Sequence, residues 1–180
     1  KNIDEYIEES MLRWNIPGMS VTVIEDGKVT HLKGYGVKKI GNQSSVDQNT
    51  LFAIASNSKA FTGLSIAILE RDGILKLDDK VSDYIPDIKL YENVPTNLLT
   101  IKDVLTHRIG IGTFHGDFIT WGTIYSEKEL INKLQYLKPV FDFRSGYGYF
   151  NAGYTIAAEV MKILTGKSWG EFVQENILKP

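Results

Sequence analysis

Ser56 and Lys59 stand three residues apart in Ser56-Asn57-Ser58-Lys59, where the apolar run Leu51 to Ala55 gives way to a helical pattern. Residues at i and i+3 of a helix share a face, so a hydroxyl and an amine at these positions can touch. A serine hydroxyl is a weak nucleophile until an adjacent base takes its proton, and a lysine serves as that base only when neutral. An ordinary lysine, with a pKa of ~10.4, is neutral only about 0.04% of the time at pH 7. Burial or cationic neighbours lower such a pKa by up to roughly 3–5 units. The start of a helix adds backbone N–H groups and the positive end of a dipole, which suit an oxyanion. Taken alone, the same residues also describe an ordinary helix start with a surface lysine.

The context is more specific. The passage from Phe52 to Gly63, with Ser56 and Lys59 inside it, closely resembles the nucleophile motif of the serine β-lactamase and penicillin-binding-protein superfamily. It is nearest to class C β-lactamases and the serine peptidases and esterases grouped with them. Tyr149-Phe150-Asn151 resembles the Tyr-x-Asn element of the same group, within Phe143 to Tyr154. Without the resemblance, Tyr149 reads as one more packed aromatic beside Phe141, Phe143, Tyr147 and Phe150. Leu105 to Gly110 resembles the family's Leu-x-His-x-Ser-Gly-Leu segment, with Ile109 at the usual serine or threonine. Gly166 to Pro180 resembles the helix before a Pro-Leu-Gly-Met turn. The resemblance thus covers the whole chain, as the N-terminal half of the family's fold.

The resemblance implies a serine hydrolase working through a covalent acyl-enzyme on β-lactam, D-amino-acid peptide or ester substrates. Ser56 would be the nucleophile, with its own N–H as half of the oxyanion hole. Lys59 and Tyr149 would relay protons, and Asn151 would bind the substrate carbonyl and the lysine. Neither cofactor nor metal is needed. The context around Tyr149 looks more like the peptidase and esterase branch than a dedicated resistance enzyme. A non-catalytic peptide- or peptidoglycan-binding sensor with the same fold is the alternative. His107 is expected to be a hydrogen-bonder beneath the site rather than a base. Asp117 and Trp121 fall in a loop resembling one that borders the site, which opens substrate contact to them. His107, His115 and Asp117 fit no standard zinc spacing.

The fold implied is α/β (α+β), of the β-lactamase/transpeptidase type. Residues 1–59 would contribute to the α/β region and carry the nucleophile, 60–165 would be mainly helical, and 166–180 would be a returning helix. The family's third element, usually Lys-Thr-Gly or a His/Lys variant on a later strand, is not found in residues 1–180. The closing strands of the sheet are expected beyond this sequence, so the chain should need the C-terminal half of its own fold. Losing one oxyanion donor costs ~10²–10³ in rate, and the isolated chain is expected to be weakly active or inactive.

The elements that must position these groups are readable from periodicity. Residues 3 to 14 form an amphipathic helix with Ile3, Tyr6, Ile7, Met11 and Trp14 on one face. Met19 to Glu25 and Val29 to Lys38 alternate as strands around Asp26-Gly27, a hairpin turn signal. Leu51 to Ala55 reads as strand-like. A helix from Ser56 to Asp72 carries the stripe Phe61, Leu64, Ile68 and Leu69. Residues 75 to 99 read as turns and partial helices. Thr100 to Asp103 has the form of a capping box, as does Ser126 with Glu129. Further helices are predicted over 126–137, 152–165 ended by Gly166, and 168–178. His31, on the second strand, reads as a surface residue. Thr165 to Ser168 ends like a phosphate-binding loop but lacks its earlier glycine, which would fall at Met161. Gly34 and Gly36 lack the third glycine of a dinucleotide fingerprint.

Composition narrows the partners. With 20 Lys and Arg against 22 Asp and Glu, the net charge is -2, and no basic block marks a nucleic-acid surface. The longest apolar run is far short of the roughly 20 residues of a membrane span. There is no cysteine for a disulfide scaffold or thiolate chemistry. The expected partner is therefore a small-molecule or peptide substrate. The first residue is lysine, which reads as a processed or cut product. Secreted or periplasmic localisation follows from family analogy alone.

Overall fold

The structure, a computed structural model, describes residues 2–179. The chain divides into two compact units, meeting in sequence between Ile54 and Ala55, so Ser56 belongs with the helical unit.

In the first unit, α1 (Ile3–Trp14) is opened by Asn2, whose side chain accepts the Glu5 N–H, with Asp4 and Glu5 in the first turn facing the positive dipole end. Asn15 in the left-handed region ends it. Of the five apolar residues expected on one face, Ile7 and Met11 are buried, whereas Ile3, Tyr6 and Trp14 stay exposed. Strands β1 (Gly18–Glu25) and β2 (Lys28–Gly36) pair antiparallel. Asp26 and Gly27 both have positive φ, 48° and 74°, the geometry of a type I′ turn. Pairing passes from Val23–His31 to Ile24–Val29, so Thr30 is left over as a bulge.

Ile7 and Met11 pack on Tyr35 of β2 with Ile16, Met19 and Val21. The Asp4 carboxylate straps helix to strand, accepting from Tyr35 OH at 2.6 Å and Lys33 Nζ at 2.7 Å. Burial and Asp4 push the Tyr35 phenol up to about 12. His31 is half-buried and lies 2.7 Å from Tyr35 OH, rather than being a free surface residue.

The second unit is helical: α2 (Ser58–Arg71), α3 (Val81–Tyr84), α4 (Asn93–Leu98), α5 (Ile101–Leu105), α6 (Glu127–Lys133), α7 (Asn151–Thr165) and α8 (Trp169–Val173). α7 packs against α2, α3, α5, α6 and α8. Its Ile156, Ala157, Val160 and Met161 are fully buried among Ile66, Leu69, Val81, Leu99, Ile101 and Val104. Both expected capping boxes form, and Ser168 with Glu171 makes another at α8. Gly166 closes α7 at φ 70°. Among the described residues no helix is long and apolar enough to cross a membrane.

Two further expectations differ. Leu51–Ile54 is exposed and belongs to neither strand of the described sheet. The buried face of α2 is rotated from the expected stripe: Thr62, Ser65, Ile66 and Leu69 are buried, and Leu64 is exposed. Burial of the hydroxyls is tolerated because each is bonded. Ser65 Oγ donates to Phe61 O at 2.8 Å, and Thr62 Oγ1 accepts from Trp169 Nε1 at 2.9 Å.

Gly153 lets α7 approach α5 closely, since a Cβ there would stand 2.7 Å from Val104 O. Gly153→Ala should therefore destabilise by about 1–3 kcal/mol. Gly63→Ala, in open space on α2, should stabilise by roughly 0.5–1 kcal/mol through chain entropy. Thermal melts of the two variants check the opposite signs.

Candidate active site

Ala55 to Asn57 form a single 3₁₀ turn ahead of α2, with Ala55 held at φ 45°. That left-handed conformation is costly for a residue with a Cβ, and it delivers an exposed Ser56 at the rim of the second unit. Lys59, in the first turn of α2, is half-buried. Its Nζ donates to Ser56 Oγ at 3.2 Å and to Asn151 Oδ1 at 2.7 Å. The ammonium also lies 4.8 Å from the ring centroid of Tyr149 and 5.3 Å from that of Tyr154, within cation–π range. Tyr149 OH donates to Ser56 Oγ at 2.7 Å. All four residues singled out from the sequence thus converge, joining the start of α2 to that of α7. The Tyr149 ring lies tilted against His107 and meets Phe114 edge-on.

Hydrogen bonds from Lys59 and then Ser56, with the Lys59 charge, hold the Tyr149 phenol below its ordinary value against the opposing effects of burial and Asp117. A phenol so placed ionises more readily and can take a proton from the serine it touches.

The backbone before Tyr149 is fixed from beneath. His107, buried and at φ 59°, accepts the Phe150 N–H on Nδ1 at 3.0 Å, and its carbonyl accepts the Gly148 N–H at 2.9 Å. Burial first, and then the Lys59 charge, lower the His107 pKa. Its neutral ring lies 4.7 Å from Tyr149 and 5.4 Å from Tyr154, centroid to centroid. The geometry is that of a hydrogen-bonder under the site.

Asp103 clamps the same loop. Fully buried, it accepts Arg108 Nε at 2.6 Å, Arg144 Nε at 2.9 Å and Arg144 Nη2 at 2.6 Å, besides the Thr100 cap. Arg144, at φ 67°, opens the turn that leads to Tyr149. The sequence reading found Asp103 only as a helix cap; Arg108 and Arg144 gave no local signal of a shared partner.

Asp117 is buried, and its Oδ2 accepts Asn151 Nδ2 at 2.9 Å, so it lies behind Asn151. Trp121 is exposed and lines an open cleft of about 570 Å³ with Ser56, Lys59, Tyr154 and Trp169. His115 is exposed. Among the described residues no three His, Cys, Asp or Glu side chains converge as a metal set.

A hydroxyl held between a lysine and a tyrosine, on a turn before a helix in a largely helical unit, fits the family that the sequence motifs resemble. The sequence model of the Beta-lactamase family matches residues 3–180, and the chain belongs to that family. Protein flp of Staphylococcus aureus is 30% identical over 188 residues, covering 100% of this chain and 36% of that protein. The structure of an octameric penicillin-binding protein homologue from Pyrococcus abyssi superposes with a TM-score of 0.82 at 28% identity, over 98% of this chain and 42% of that one. A class C beta-lactamase superposes at 0.80 and 27% identity, over 97% and 46%. The chain therefore spans about a third of the curated relative and under half of these solved chains.

Burial pulls the Asp103 carboxyl upward, but Arg144, Thr100 and Arg108 outweigh it and its pKa is below the ordinary value. A depressed carboxyl contributes stability that is present above its unfolded pKa, about 3.9, and lost as pH falls through the lower folded value. The melting temperature should fall on acidification below about pH 4. Asp103→Asn should be less stable at pH 7 by about 3–5 kcal/mol and show a flatter acid limb. Melts from pH 2 to 7 check both.

Proposed function

We propose that the protein is a serine hydrolase that forms a covalent acyl-enzyme on Ser56 and acts on amide or ester carbonyls of the β-lactam, D-amino-acid peptide or simple ester type. The observation that carries this reading is the meeting of Ser56 Oγ with Tyr149 OH at 2.7 Å and Lys59 Nζ at 3.2 Å.

With Tyr149 ionised, its short contact to Ser56 runs in the reverse sense, the serine hydroxyl donating to the phenolate. Ser56 Oγ attacks the substrate carbonyl carbon as its proton passes to Tyr149. The Lys59 ammonium balances negative charge on the phenolate before transfer, while the Ser56 N–H faces the oxygen that becomes the oxyanion. Tyr149 then gives the proton to the leaving nitrogen or oxygen as the carbonyl reforms. In the second half water attacks the serine ester, Tyr149 takes a proton from it, and Ser56 is released with that proton. Asn151 spends its Oδ1 on Lys59 and one amide hydrogen on Asp117, leaving the other hydrogen for a substrate carbonyl.

Membership of the β-lactamase family supports acyl transfer, and the sequence around Tyr149 favours the peptidase and esterase branch within it. Secreted or periplasmic localisation is part of the same proposal, supported by family analogy alone.

Intact-mass spectrometry of the full-length protein, after a fluorophosphonate and separately a fluorescent penicillin, tests the reading. A single adduct should form and vanish in Ser56→Ala. Tyr149→Phe should slow its formation by ~10²–10⁴-fold, the range for loss of a positioned acid–base group. No adduct on well-folded protein with either probe would remove the catalytic assignment and favour a binding protein of the same fold.

A further inference from the structure

Asn151 lies between two groups of opposite and fixed hydrogen-bonding role. An ammonium only donates and an ionised carboxylate only accepts. The amide therefore satisfies both neighbours in one orientation, Oδ1 toward Lys59 at 2.7 Å and Nδ2 toward Asp117 at 2.9 Å. Asp117 is itself held. Its N–H donates to Phe114 O, its carbonyl accepts from the N–H groups of Thr120 and Trp121 and from Thr120 Oγ1, and it opens the 3₁₀ turn Asp117–Ile119. Its buried carboxylate does not present itself to the open cleft; its bonded oxygen is turned onto Asn151.

We propose that Asp117 is a positioning residue, the anchor of a chain running Asp117–Asn151–Lys59–Ser56 that fixes the amide and through it holds the lysine on the nucleophile. The carboxylate and the ammonium sit at opposite ends of one amide, so each polarises it toward the other. Without Asp117, no bond from another described residue restrains Nδ2, and Asn151 can turn its oxygen from Lys59. The ammonium would then keep its 3.2 Å contact to Ser56, its bond to the Tyr149 phenol and the two aromatic faces, none of which fixes it from behind. A misplacement of about 1 Å at a reacting group costs on the order of 10²-fold in rate. Asp117 also acts on the charge balance. The groups facing Tyr149 are Lys59 from α2, His107 below, Asp117 behind Asn151 and Tyr154 from α7, and among these Asp117 opposes ionisation of the phenol.

The inference rests on the proposed serine chemistry, and one experiment separates the two. Full-length wild type, Asp117→Asn and Asp117→Ala are labelled with a fluorophosphonate across pH, and the side-chain amide of Asn151 is followed by ¹H–¹⁵N NMR with assignment by Asn151→Ala. Asp117→Ala should label about 10–100-fold more slowly. Asp117→Asn keeps an acceptor oxygen, so its loss should be smaller, and removal of the negative charge should move its acid limb to lower pH. The Asn151 amide resonances should shift in both variants, most in Asp117→Ala. Labelling of Asp117→Ala at the wild-type rate would overturn the proposal, as would equal losses in the two variants with no change of pH profile. If wild type is not labelled at Ser56, the hydrolase reading falls, and the Asn151 amide signal alone then decides the anchor: unmoved in both variants, it refutes it. Should Asp117→Ala fail to fold, Asp117→Asn carries both readouts.

Discussion

A half-buried ammonium, that of Lys59, is the constraint on which the candidate site turns. A charge withdrawn from water needs partners, and those found come from segments far apart in the chain. Ser56 lies on the turn before α2, while Asn151, Tyr149 and Tyr154 lie on and beside the start of α7. Solvating the lysine and assembling the site are the same event. The same lysine holds the Tyr149 phenol low and adds to burial in lowering the His107 pKa, so one group acts on the protonation of both neighbours.

The layer below is rigid for reasons independent of that charge. Asp103 gathers Arg108 and Arg144, and His107 bonds the backbone at 148 and 150. Left-handed conformations at Ala55, His107 and Arg144 are each costly for a residue with a side chain, and they persist where surrounding bonds over-determine them. Two of them flank the approach to Tyr149 and one precedes Ser56. Precision at the hydroxyl is thus supplied by turns held from beneath, with α7 as the wall on which α2 and α5 pack.

Much of this was legible in the sequence. Periodicity and punctuation placed α1, the hairpin turn at Asp26-Gly27, two capping boxes and the Gly166 stop, because these are local and carry their own chemistry. The motifs around Ser56 and Tyr149 marked the four residues that the structure brings together. The misses share a cause, which is that burial is decided by partners remote in sequence. The α2 stripe was misplaced because Thr62 looks polar until Trp169, 107 positions away, is seen to bond it. Leu51 to Ala55 has strand character but belongs to neither strand of the described sheet. Asp117 looked like a loop residue open to substrate, since nothing near it announces Asn151, which is 34 positions away.

The central claim is that the Lys59–Ser56–Tyr149 contacts make Tyr149 the readily ionised group beside the nucleophile. The most direct test is an NMR titration of the Tyr149 Cζ resonance in full-length protein carrying ¹³C-labelled tyrosine, assigned with Tyr149→Phe and repeated in Lys59→Met. The account predicts a midpoint below the ordinary phenol value of about 10 that rises when the lysine charge is removed. A midpoint at or above that value, unmoved by Lys59→Met, would contradict it.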